Sequence, residues 1–116
     1  MAETSSLDTE QDLLNYNLYP YTELDKEGLL DGVMLTHCRF EKIDPDYPAS
    51  LSKKVIKIFR DQGFTGFAMT DALSMMGVVA KFGDKGSVAL SVANSADLSL
   101  PWTSNNEKAY GWLKEA

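Results

Sequence analysis

Apolar residues fall in two rhythms along this chain. Short unbroken runs follow glycine at Gly32-Val33-Met34-Leu35 and at Gly66-Phe67-Ala68-Met69. Neither run alternates with polar residues, which is the pattern of strands buried on both faces, as parallel sheets bury them. The first strand is expected within Asp31–His37 and the second over Gly66–Thr70. A third is expected over Asp97-Leu98-Ser99-Leu100-Pro101. Between the first two, Leu51, Val55, Ile58 and Phe59 recur at helical spacing and form one stripe. That predicts a helix capped by Ser50 or Ser52, running to about Gln62 and stopped by Gly63. Further helices are expected from Pro20 to Lys26, with Gly28 ending it, and from Lys85 to Ser95, where Ala89 and Ala93 permit close packing. Asn105 to Ala116 reads as a last helix with Tyr110 and Leu113 inward. Leu73 to Phe82 has mixed character and reads as a loop with one helical turn.

The order helix, strand, helix, strand, helix, strand, helix defines an α/β class with right-handed crossovers and a parallel sheet. The polar stretch 1–12 is expected to be disordered, and 13–116 to form the ordered unit. Cys38 to Ser50, with Pro45 and Pro48, is a long connection, and loops of that length in compact domains often carry function.

Composition narrows the function classes. The net charge of −6 disfavours nucleic acid, which requires a basic surface. Lys53, Lys54, Lys57 and Arg60 cluster locally and read as the wet face of the amphipathic helix. With one cysteine, Cys38, and one histidine, His37, the chain has no internal disulfide and too few ligands for a common zinc site. Adjacent residues on a strand point to opposite faces, so His37 and Cys38 are badly placed to share a proton. No apolar run is long enough to span a membrane, and no secretory leader pattern opens the chain, so the expected location is cytoplasmic.

The chemistry concentrates at Asp71. It follows the second strand directly, and barrel enzymes of parallel strands and helices place reacting groups at the carboxyl ends of strands. Asp71 is therefore a candidate nucleophile, the alternative being a helix cap or a loop hydrogen-bonder. His37 ends the neighbouring strand and is expected to open on the same face. Met75 and Met76 read as core or pocket lining.

The segment Gly63-Phe64-Thr65-Gly66-Phe67-Ala68-Met69-Thr70-Asp71-Ala72-Leu73-Ser74-Met75 resembles the nucleophile segment of glycoside hydrolase family 3. Two flanking blocks resemble the family in the same order: Asp31 to His37 with Asp44-Pro45 and Pro48-Ala49-Ser50-Leu51-Ser52, and Ala96 to Pro101. Pro20-Tyr21 is similar to the family's helix entry. The form Thr-Asp-Ala-Leu-Ser-Met leans toward the β-N-acetylhexosaminidase branch rather than the β-glucosidase branch, in which Trp commonly follows the nucleophile.

The resemblance implies a (β/α)8 TIM-type barrel of which this chain matches about the last three strands. It implies a retaining β-glycosidase with Asp71 as catalytic nucleophile. His37 and Trp102 are candidate substrate-binding residues, His37 by hydrogen bonding near the sugar and Trp102 by stacking on it; packing roles for both stay open. The family's Lys-His-Phe-Pro-Gly and Asp-x-His segments have no counterpart here, so the chain alone is expected to be inactive. Carboxylate nucleophile and acid/base chemistry require no metal or organic cofactor. The expected partners are a β-linked N-acetylglucosamine or glucose substrate and either the remaining barrel strands or a second copy. The competing readings are a truncated α/β module that binds carbohydrate or a partner chain, and a small α/β domain unrelated to sugars.

Overall fold

The computed structural model describes residues 4–94, 96–100 and 106–115. Strand β1 (Ser5–Ser6) leads into a short helix α1 (Glu10–Asp12), a π-helical turn (Leu13–Asn17) and helix α2 (Tyr19–Lys26). Strands β2 (Gly32–Leu35) and β3 (Arg39–Phe40) follow, then a 3-10 turn (Ala49–Leu51) and helix α3 (Lys53–Asp61). Strand β4 (Phe67–Thr70), helix α4 (Met76–Asn94) and helix α5 (Asn106–Glu115) complete the order.

Strands β2 and β4 pair in parallel, with Gly32 opposite Phe67 and Leu35 opposite Thr70. A parallel bridge from Met69 to Leu98 brings a third segment alongside β4. The pleat sorts the side chains. Leu35 and Ala68 turn to α3 and pack on Ile56, with Val33 against them. Met34, Phe67 and Leu98 lie on the other face and are exposed. One face covered by helices and one apolar face uncovered is the geometry of a partial (β/α)8 barrel, whose strands turn their inner face to the barrel interior.

Helix α3 is the centre of packing. Val55 and Ile58 meet Leu13, Phe40 and Ala49, while Ile56 packs beneath the sheet. Its start is fixed by chemistry that the long loop supplies. The Ser52 hydroxyl accepts from the Val55 N–H at 3.2 Å and donates to the buried Asp44 carboxylate at 2.6 Å. The other Asp44 oxygen accepts from the N–H groups of Asp46 and Tyr47. Asp44 is thus an organiser of the Pro-rich loop. Ser52→Ala removes the cap and strands one oxygen of a buried carboxylate. It is expected to cost about 2 kcal/mol, read as a lower urea midpoint at unchanged slope.

Several expectations need correction. Residues 4–12 are not without structure. Ser5–Ser6 pairs with Arg39–Phe40, through Arg39 N–H to Thr4 O and Glu41 N–H to Ser6 O. Thr9 and Asp12 then form a reciprocal cap, whose backbone and hydroxyl donors at Thr9 hold the Asp12 carboxyl below its ordinary range. That cap is in place above the usual carboxylate pKa and is lost as pH falls through the depressed one. Two polar serines carry no strand pattern, because backbone pairing and not side-chain burial forms this strand.

The stretch Leu73–Phe82 is mostly helical, since α4 begins at Met76. Val78 is fully buried against Leu51, Leu73 and Val88, and that burial outweighs the low helix propensity of its β-branched side chain. Helix α4 breaks at Gly83, which has φ 70° and ψ 171°. The third strand is reduced to the Leu98 bridge. Asp97 and Leu98 both donate to the Ala68 carbonyl, and the Leu100 N–H goes to the Thr70 hydroxyl, so no regular ladder forms. In α5 the inward face is Ala109, Trp112 and Leu113, and Tyr110 is exposed. Arg60 is more than a wet-face cation. It donates to the carbonyls of Phe64 and Gly66 and to the Asp97 carboxylate at 2.9 Å.

Candidate active site

Strand β4 ends at Thr70 and delivers Asp71 to the carboxyl edge of the sheet, where β2 also ends. The approach is rigid. Ala68 and Thr70 are fully buried, Thr70 N–H donates to Leu98 O, and the Thr70 hydroxyl accepts from Leu100. Asp71 N–H donates to Leu35 O at 3.0 Å, and Leu73 N–H to Leu100 O at 2.9 Å. The backbone on either side of Asp71 is therefore held by both neighbouring segments.

The Asp71 side chain is half-buried. Its Oδ1 accepts from the Ala72 N–H at 2.7 Å, and its Oδ2 has no hydrogen-bond partner among the described residues. One oxygen is oriented and the other is available. That is what an attacking carboxylate requires.

His37 follows β2 and reaches the same edge, as its position at a strand end predicts. Its Nδ1 lies 2.7 Å from the Ser50 hydroxyl and its Nε2 lies 2.8 Å from the Ala72 carbonyl. Both ring nitrogens are engaged by protein atoms, which leaves none for a sugar. Cys38 takes no part in this arrangement. Burial pushes its thiol above the ordinary range, and the charge of Asp8 adds to that, so little reactive thiolate is present at neutral pH. Trp102 lies outside the described residues.

Sequence reasoning passed over Ser50 and the Ala72 carbonyl. Ser50 stands in the Pro48-Ala49-Ser50-Leu51-Ser52 block but reads there as a helix cap; a backbone carbonyl leaves no trace in a sequence. A groove of about 500 Å³ runs beside β2, lined by Leu13, Leu18, Tyr21, Val33, Phe40 and Phe59 among others. Its walls are mostly apolar, with Asn17 and Thr36 among them, and Asp71 is not among its lining residues.

Parallel strands backed by helices on one face, with a carboxylate at the strand ends, define part of a barrel of the kind that carries hydrolytic sites on its carboxyl rim. Residues 2–116 match the glycosyl hydrolase family 3 N-terminal domain, and the chain belongs to that family. Solved structures agree. The β-N-acetylglucosaminidase from Thermotoga maritima superposes with a TM-score of 0.82 at 28% identity, over 96% of this chain and 25% of that one. A family 3 β-N-acetylglucosaminidase from Paenibacillus sp. str. FPU-7 gives 0.82 at 25% identity, over 97% and 22%. CbsA from Thermotoga neapolitana shares the fold with a TM-score of 0.87 at 23% identity, over 98% and 27%. The chain spans about a quarter of the length of these structures.

Proposed function

We propose that this chain supplies the nucleophile strand of a retaining β-glycosidase, of the β-N-acetylhexosaminidase type. The observation that carries this is the Asp71 carboxylate, presented at the carboxyl end of β4 with one oxygen held by Ala72 and the other without a partner among the described residues. In retaining hydrolysis that free oxygen attacks the anomeric carbon, and the bond to the leaving oxygen breaks as an acid protonates it. Water then cleaves the glycosyl ester and regenerates the carboxylate. His37 is engaged at both nitrogens and is not assigned as that acid. The family's Asp-x-His acid/base segment has no counterpart in this sequence, so the acid is assigned to another part of the barrel. Family membership and the likeness to two solved β-N-acetylglucosaminidases support N-acetylglucosamine as the sugar.

The uncovered apolar face supports a need for further barrel strands. Met34, Phe67, Leu98 and Leu100 are each at least 41% exposed on or beside one face of the sheet. Apolar surface of that kind promotes association. Two results are expected of the purified chain. It does not hydrolyse an aryl β-N-acetylglucosaminide, and in sedimentation it runs heavier than its 12.8 kDa monomer. Spliced in place of the matching segment of a complete family 3 barrel, it restores turnover of the same substrate. A monomer with a single cooperative unfolding transition would favour an independent domain instead, and a correctly folded but inactive chimera would remove the nucleophile assignment.

A further inference from the structure

Of the chemistry-bearing contacts, the one between Ser50, His37 and Ala72 has no task in the hydrolytic scheme above. It superficially matches a serine–histidine nucleophile pair. Ser50 is fully buried, however, so its hydroxyl cannot meet a substrate. The opposite end of the pair is the informative one. Ala72 O can only accept, so His37 Nε2 carries the proton and donates to it. In the neutral ring Nδ1 is then an acceptor, and the Ser50 hydroxyl donates to it.

We propose that His37 is a positioning residue that sets the direction of the Asp71 carboxylate. This rests on the reading of Asp71 as nucleophile. The contact between Ala72 N–H and Asp71 Oδ1 joins adjacent residues, so rotation of the intervening backbone breaks it easily. Ala72 N–H is spent on Asp71, and no neighbouring strand holds it. Leu35 anchors residue 71 and Leu100 anchors residue 73. The Ala72 carbonyl accepts from His37 Nε2 at 2.8 Å and from the Met75 N–H at 3.2 Å. The second bond closes the local turn, and His37 is what ties residue 72 to the rest of the fold. His37 is in turn fixed by Ser50, whose own N–H donates to Thr36 O at 2.9 Å, tying the turn to the end of β2. The chain of contacts thus runs from β2 through the 3-10 turn and the imidazole to the carbonyl of Ala72, the residue whose N–H, one peptide earlier, orients the Asp71 carboxylate.

The chain contains one histidine, so its ring nitrogens give unambiguous signals in the 15N-labelled protein. The Nε2–H tautomer is expected to dominate in the neutral ring, and Ser50→Ala is expected to shift the Nδ1 signal. A dominant Nδ1–H tautomer, or the averaged ring of a free histidine, overturns the proposal. Amide exchange at Ala72 is the second readout. His37→Leu is expected to accelerate it about tenfold relative to the amides of α3, as loss of one hydrogen bond would. His37→Gln, which returns an N–H donor, is expected to bring it back to within about threefold of wild type. Exchange that does not change in His37→Leu, that rises equally throughout α3, or that Gln fails to rescue would each defeat the proposal. If the Leu variant does not fold, the tautomer measurement and Ser50→Ala still decide it. None of these readouts requires a sugar, so they stand or fall separately from the nucleophile assignment.

Discussion

In a barrel completed around this chain, Asp71→Asn is expected to lower turnover by roughly 10^4-fold and to abolish the glycosyl ester. The substitution preserves volume, and its side-chain oxygen can still accept from the Ala72 N–H that Oδ1 uses now. The fold and the loop after β4 are therefore retained while the attacking charge is removed. A loss of 10^4-fold corresponds to about 5.5 kcal/mol of transition-state stabilisation, far more than a half-buried loop hydrogen bond supplies. The alternative reading of Asp71, as a loop hydrogen-bonder, predicts a change in stability and little in chemistry. Asp71→Gly separates the two further. It opens the space on that side of the sugar, so added azide can attack the anomeric carbon from the face the carboxylate occupied. With an activated aryl glycoside the product should be a glycosyl azide of inverted configuration. Mass spectrometry checks the ester and product analysis checks the azide. Ester detected undiminished in Asp71→Asn would end the assignment.

Legibility followed the source of each element's stability. The helix from Ser52 to Gln62 draws on side-chain burial, which writes itself as an apolar stripe. Strands β2 and β4 read as apolar runs expected to be buried on both faces, yet only one face is covered here, and Met34 and Phe67 on the other are exposed. Leu51, Val55, Ile58 and Phe59 are all buried, as their spacing predicts. Asp71 was legible because it abuts one of those runs and sits in a three-block resemblance. What stayed hidden depends on backbone groups or on distant contacts. The β1–β3 pair is held by main-chain hydrogen bonds between polar residues. The first half of α4 owes its form to Val78 meeting Leu51 and Val88, which no local window contains. The task of His37 needs the Ala72 carbonyl, 35 residues away and without a side-chain signature. Asp44 and Ser52 lie eight residues apart across a Pro-rich loop, a separation with no periodic meaning.

The junction that places Asp71 beside the end of β2 is set at its opposite end, by Gly66. Its carbonyl accepts from Arg60, and the next residue's N–H donates to Asp31 O at 3.1 Å, which starts the β2–β4 ladder. A Cβ at Gly66 would lie 2.2 Å from that same Asp31 oxygen and 2.7 Å from the Phe64 ring. The first obstacle is backbone and cannot rotate away. Phe64 is held too, stacked on Phe59 with ring centroids 4.5 Å apart and capped by Arg60. Gly66→Ala must therefore separate the strands where they begin to pair, with an expected loss of about 3 kcal/mol or more. Small domains are stable by about 5–15 kcal/mol, and a sheet with an uncovered face has less in reserve. The variant is expected to lose its cooperative circular dichroism transition, or to shift it down by well over 10 °C. Gly111→Ala is the matched control. Its Cβ would meet nothing within 4 Å and it lies inside α5, so the same chemical change there is expected to stabilise by about 0.5–1 kcal/mol. If both variants melted like the parent chain, Asp31 and Gly66 would not be in contact, and the parallel register that brings Asp71 to the rim would be wrong.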